Sequence, residues 1–167
     1  MQTELTLSIG GIPPMSARGC TQELTAIPQG EFRRTIGGEL IFVGNLDHKY
    51  KSTIRCQDQA VIATEGLRVG DVVHVGCIQS LGQKINPDEN SITLSRSAVL
   101  HSIYVMNDKN EQYKEFSSDC RTITLNEPHG VLFAFFRPEL KMRVTSFTLT
   151  MDEWKMKSGW TLELNEV

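Results

Sequence analysis

Apolar residues recur at every second position through most of this chain, and a two-residue period is the spacing of side chains along one face of a β-strand. Leu5, Leu7 and Ile9 follow it. Val73, Val75 and Cys77 follow it after the turn-like Val69-Gly70-Asp71, and Ile92-Thr93-Leu94 after the polar stretch Asn86-Pro87-Asp88-Glu89-Asn90. Trp160, Leu162 and Leu164 alternate with Thr161, Glu163 and Asn165. Leu140, Met142 and Val144 share one parity and Phe147, Leu149 and Met151 the other, so the inward face changes sides between them, which predicts a bulge or bend near Thr145 and Ser146. Val131-Leu132-Phe133-Ala134-Phe135-Phe136 is a continuous apolar run, too short for a typical helix and stopped by Arg137-Pro138. It predicts a core strand buried on both faces.

Turn chemistry divides these runs. In Phe32 to Val43, Gly37-Gly38 lies between two strand-like segments and supplies the positive φ values of a tight hairpin. A second hairpin is predicted over Ser102 to Phe116, with Asp108-Lys109-Asn110 as its turn, and a further strand over Arg121 to Leu125. The only helical candidate, Asp152 to Lys157, is at most a turn and is ended by Ser158-Gly159. About ten short strands with little or no helix predict an all-β fold, an antiparallel β-sandwich or barrel, built as a single domain over residues 1–167.

Composition narrows the function classes. A hydrophobic share of 40% and a charged share of 22% are those of an ordinary folded protein, and a formal net charge of −3 argues against a general nucleic-acid binder, which needs many Lys and Arg against phosphates. No run approaches the length needed to cross a bilayer as a helix, and Met1 to Ile9 lacks the basic and apolar regions of a signal peptide. The expectation is a chain that stays in the cytosol of the cell that makes it, without membrane or nucleic-acid partners. Cys20, Cys56, Cys77 and Cys120 are widely separated with no CxxC pair, and are expected to be buried thiols.

Reaction chemistry finds little support. His48, His74, His101 and His129 have no metal-ligand spacing, and His74 is expected to face solvent from its strand. Neither Ala17-Arg18-Gly19-Cys20 nor Ser158-Gly159-Trp160 is a nucleophile elbow. The carboxylate pairs Asp152-Glu153 and Asp88-Glu89 lie in polar, surface-like stretches, and Gly10-Gly11 leads into Ile12-Pro13-Pro14 rather than a helix. No enzyme and no cofactor are expected; an enzymatic reading needs a pocket that gathers a histidine with carboxylates or Cys120.

Three features point to interaction surfaces. Arg33 and Arg34, with Lys49, Lys51 and Arg55 nearby, can form a positive face for an acidic partner or a charged edge that blocks strand pairing. Trp154 and Trp160 bracket Lys155 to Gly159 and can serve as contact anchors, as sugar platforms or as caps on a core. Arg18, after the stiff Pro13-Pro14, can fix a subunit contact or belong to a plain connecting loop.

Four stretches carry a resemblance: Ile12-Pro13-Pro14-Met15-Ser16-Ala17-Arg18-Gly19-Cys20-Thr21-Gln22; Arg33-Arg34-Thr35-Ile36-Gly37-Gly38-Glu39-Leu40; Lys49-Tyr50-Lys51-Ser52-Thr53-Ile54-Arg55-Cys56; and Arg143-Val144-Thr145 through Asp152-Glu153-Trp154 to Gly159-Trp160-Thr161-Leu162-Glu163-Leu164. Together they resemble a family of small, mostly uncharacterised virion proteins of tailed bacteriophages. Its members often carry Asn-Gly where this chain has Gly37-Gly38. The resemblance implies a virion structural protein made in the host cytoplasm, tail-associated as a tail-tip, baseplate or fibre-anchoring component. Its partners would be other virion proteins and copies of itself; the contact candidates, read from the residues and not from the resemblance, are Arg18, Arg33, Arg34, Lys51, Trp154 and Trp160. A capsid decoration or cement protein and a carbohydrate-binding receptor module are the alternatives. No catalytic or ligand residues follow from it.

Overall fold

The computed structural model describes residues 3–126 and 130–167, and His129 lies outside them. Among the described residues there is no helix. The strands are β1 (Thr6–Leu7), β2 (Thr21–Arg34), β3 (Leu40–Asp58), β4 (Val72–Gly76), β5 (Leu81–Ile85), β6 (Ser91–Thr93), β7 (Tyr104–Asn107), β8 (Gln112–Tyr113), β9 (Phe116–Ser118), β10 (Thr122–Leu125), β11 (Leu132–Phe136), β12 (Glu139–Asp152) and β13 (Lys157–Glu166). Their ladders are antiparallel, so the all-β expectation holds, but β2, β3 and β12 run for 14, 19 and 14 residues, longer than the short strands that turn signals suggest. Pro28, Gly30 and Gly44 read as breaks in the sequence. In the fold Pro28 sits on an edge strand, where its missing N–H costs nothing, and Gly30 pairs directly with Gly44.

The chain forms two compact units. The first is built mainly from Ile9–Val73 and Lys141–Val167, and in it β12, β13, β3 and β2 lie side by side in that order. Its buried face is made by alternating positions: Ile54 and Cys56 of β3, Trp160, Leu162 and Leu164 of β13, Met142 and Val144 of β12. The predicted face change is present as a register shift between Val144 and Ser146, which moves Phe147 to the same side as Leu162, its partner on β13. The second unit comprises Glu4–Ser8 and His74–Leu140. Its three-stranded sheet β6-β10-β9 and four-stranded sheet β5-β11-β7-β8 share one apolar core, with Ile123 and Leu125 from one and Ile85, Val105, Leu132, Ala134 and Phe136 from the other, a sandwich-like arrangement. Central β11 is fully buried only through Leu132, Ala134 and Phe136; Phe133 and Phe135 are half-buried, and Phe135 stacks on Tyr104 at 5.2 Å. The apolar run therefore has one dry face, not two. His74 is exposed between buried Val73 and Val75, as its strand parity requires.

Both predicted hairpins form, and they share a loop geometry. Thr35 N donates to Glu39 O and Gly38 N to Thr35 O; Asn107 N donates to Glu111 O and Asn110 N to Asn107 O. Each is a turn closed by one left-handed residue, Gly38 at φ 84° and Asn110 at φ 65°. Positive φ is thus needed at Gly38 and not at Gly37.

Candidate functional site

The first-unit sheet has two ends with different chemistry. At one end the Pro-Pro loop is clamped down. Ser16 Oγ donates to Pro13 O at 2.7 Å, Ala60 N donates to Met15 O at 2.9 Å, and the Trp160 indole N–H donates to Ser16 O at 2.7 Å. Trp160 is 2% exposed. Arg18 closes the clasp on Asp58: Nε lies 3.2 Å from both carboxylate oxygens, Nη2 lies 2.7 Å from Oδ1, and the Arg18 backbone N–H donates to Oδ2 at 2.9 Å. Gln59 N adds a fourth donor at 2.8 Å. The Arg18 guanidinium beside it, aided by the backbone N–H groups of Arg18 and Gln59 and opposed by burial, holds the Asp58 carboxyl well below the usual carboxylate range. Arg18 and Trp160 are therefore internal fastenings. Asp58 carries no signal in the sequence, because its partner lies 40 positions away and only the fold brings them together.

At the other end β2 and β3 run past their neighbour. β13 pairs with β3 only over Lys51–Asp58, so Ala26–Arg34 and Leu40–Tyr50 form a two-stranded arm, about 30 Å long at ~3.3 Å per residue. The arm has a waist: Gly30 and Gly44 face each other so closely that a Cβ on Gly30 would lie 2.4 Å from Val43 O and 2.7 Å from Gly44 Cα. Beyond the waist Phe32 and Phe42 meet edge to face at 5.2 Å. Side chains that read as a strand core are open to water here: Phe32 is 66% exposed, Leu46 87%, and Ile36 at the tip is fully exposed, with Leu40, Ile41 and Val43 also on the surface.

The predicted basic face is not assembled as a unit. Arg33 and Arg34 are neighbours on one strand and project to opposite sides; Arg33 pairs with Glu31 on the same strand, and Arg34 Nη1 donates to Gly38 O at 2.9 Å. Lys51 lies across from β13 and pairs with Glu163 at 3.2 Å. The charges decorate the arm and its root, and the apolar side chains distinguish it. Sequence reasoning missed this surface because an alternating run looks the same whether or not a third strand covers it.

Trp154 stands apart from Trp160. It occupies the β12–β13 turn, 94% exposed beside exposed Met151 and Met156, with Asp152 Oδ1 accepting its backbone N–H and that of Lys155 at 3.2 Å. In the second unit, Ala98, Val99, Leu100, His101, Ile103, Phe116, Ser118, Asp119 and Cys120 line a cavity of about 340 Å³, the gathering of histidine, carboxylate and thiol that an enzymatic reading needs. Asp119 Oδ1 accepts the backbone N–H of Cys120 at 2.7 Å, and among the described residues no hydrogen bond joins His101 to Asp119 or Cys120. No cluster of three metal-ligating side chains occurs among the described residues. Of the cysteines expected to be buried, Cys56 and Cys77 are; Cys20 is half-buried because it lies at the start of edge strand β2, and Cys120 is exposed in a bend.

Comparison with family models, curated proteins and solved structures finds no match to this chain.

Proposed function

We propose that this chain is a structural protein of a tailed-bacteriophage virion, tail-associated as a tail-tip, baseplate or fibre-anchoring component, that works through protein–protein contacts. The observation that carries the reading is the arm. An isolated two-stranded hairpin is at best marginally stable in water, and its free edges and exposed apolar side chains are an aggregation hazard unless a partner covers them. Phe32, Ile36, Leu40, Ile41, Val43 and Leu46 are such side chains, on a part of β2 and β3 that no third strand joins. A protein that spends its life inside an assembly has that cover supplied by its neighbours. Repeated around a symmetry axis, an arm on each copy gives many modest contacts whose combined strength exceeds any one of them. The four stretches that resemble the phage family support the same reading: two of them form the clasp, and one is the arm tip.

A capsid decoration protein uses an arm in the same way and differs in location. A carbohydrate-binding module is favoured by one observation, the solvent-facing Trp154; Trp160, buried with its indole N–H engaged, is withdrawn from that role.

Mass spectrometry of purified particles split into heads and tails, with copies counted against major capsid and portal proteins, tests the reading. The expected result is enrichment in tails at a small multiple of three or six. Hundreds of copies in heads identify decoration instead, and absence from particles overturns both. Glycan binding abolished by Trp154→Ala establishes the module.

A further inference from the structure

The strand register brings two of the four cysteines together. Thr21 and Arg55 are the first partners of the β2–β3 ladder, so Cys20, one residue earlier, stands opposite Cys56, and the neighbouring Cys56 thiol is among the groups that push the Cys20 thiol up. Residues directly opposite in an antiparallel pair have Cα atoms ~4.5–5.5 Å apart and side chains on the same face. A disulfide needs Cα atoms roughly 4.4–6.8 Å apart, so the bridge asks for side-chain rotation and little strand movement. Cys56 Sγ also donates to Arg18 O at 3.6 Å, which sets the pair beneath the clasp.

We propose that Cys20 and Cys56 are a redox site, closed by a two-electron peroxide oxidant into a cross-strand disulfide that ties the Pro13–Gly19 loop covalently to β3. The step balances without any other reactant. One thiolate attacks a peroxide oxygen, giving a sulfenic acid and releasing water. The second thiol then attacks that sulfur, forming the S–S bond and expelling the sulfenic oxygen as a second water. Two electrons leave the sulfurs, and both thiol protons end in water. The site is independent of the virion reading, since it rests on the ladder alone.

The environment sets the rate. Burial first, and then the neighbouring Cys56 thiol, push the Cys20 thiol up to about 12, so little of it is thiolate at neutral pH. With Cys20 as the attacking thiol, bridging accelerates as pH rises, about tenfold per unit while its thiolate is a minor form. Cys56 is buried, which shields the finished bond from reductants.

The test uses the full chain carrying Cys120→Ser, which removes the exposed thiol that could join two copies. After hydrogen peroxide at pH 8.5, denaturation and alkylation, the expected result is one alkylatable thiol of the remaining three, the intact mass lower by two hydrogens, and a digest with the Cys20 and Cys56 peptides joined until a reductant is added. The bridged form should melt several degrees higher, and Cys20→Ser should lose both the mass change and the melting shift. A link that includes Cys77, oxygen added to Cys20 or Cys56 without a link, or full retention of thiols under conditions that oxidise Cys120 in the unsubstituted chain overturns the proposal.

Discussion

The two ends of the β2–β3 ladder are made of the same kind of sequence and meet opposite surroundings. From Ser52 to Arg55, β3 lies between β2 and β13, and through Asp58 its even-numbered residues alternate into the core. From Leu40 to His48, β3 has β2 alone, and most residues with the same strand chemistry stand in water. Hairpin formation is local, set by the loop closed at Gly38 and by cross-strand pairs such as Phe32–Phe42. Burial is not local, because it depends on whether a third strand arrives. The body end derives its stability from within the chain. The arm end has only its own pairing until something external covers it.

The comparison breaks most readily at the tryptophans. Trp160→Ala removes a buried ring and the donor to Ser16 O, and should cost ~3–5 kcal/mol of unfolding free energy. Trp154→Ala should stay within about 0.5 kcal/mol, since the ring touches little. Urea denaturation of both variants checks this, and equal effects would show that the β12–β13 turn is packed in a way its exposure denies.

Asp58→Asn comes next and acts through pH. The folded carboxyl titrates below its unfolded value of about 4, so the Arg18–Asp58 contribution is complete above that pH and is lost progressively as pH falls below it. Asp58→Asn should lower the melting temperature near neutral pH and flatten the acid limb of the stability curve. The two proteins should converge at the most acidic pH. Parallel curves from pH 6 to pH 2 would remove Asp58 from the acid response.

The alternation of period two made the all-β class readable, and the parity change between Val144 and Phe147 located a real bulge. Loop chemistry located both hairpin tips, because Gly38 and Asn110 occupy the left-handed position that few other residues accept. The extent of β2 and β3 was hidden by Pro28, Gly30 and Gly44, residues that usually end strands and are tolerated here on an edge and at a glycine-on-glycine pair. The site was legible only as a roster. Arg18 and Trp160 stood out as unusual residues, but their work inside the clasp depends on Asp58 and Ser16, 40 and 144 positions away. Cys20 and Cys56 are also far apart in sequence and become partners through a register that no local pattern specifies.

At the waist, Gly30→Ala would place a Cβ within 2.4 Å of Val43 O, so the ladder must shift there. The overpacking cost of ~1–3 kcal/mol should fall on the arm, read as faster hydrogen exchange over Ala26–Tyr50 with protection of Ile54, Leu162 and Leu164 unchanged. Exchange that rises equally in both regions would make arm and body one cooperative unit.

The smallest expected effect on stability carries the most functional information. Ile36→Ser, Leu40→Ser and Leu46→Ser together remove strongly exposed apolar side chains of the arm while leaving the Phe32–Phe42 pair, the Gly30–Gly44 waist and the buried face intact. Surface substitutions of this kind move unfolding free energy by no more than about 0.5 kcal/mol each, so the denaturation midpoint should barely change. If the arm docks onto a neighbour, those side chains lie at the centre of the contact, where a few apolar anchors hold most of the binding energy. Incorporation into particles, measured by complementing a deletion of the gene with the triple variant, should then fall at least tenfold. A variant that folds normally and still enters particles at the unsubstituted level would show that the exposed arm is not the contact. The assembly role would then have to rest on another surface, the Trp154 turn being the next to test.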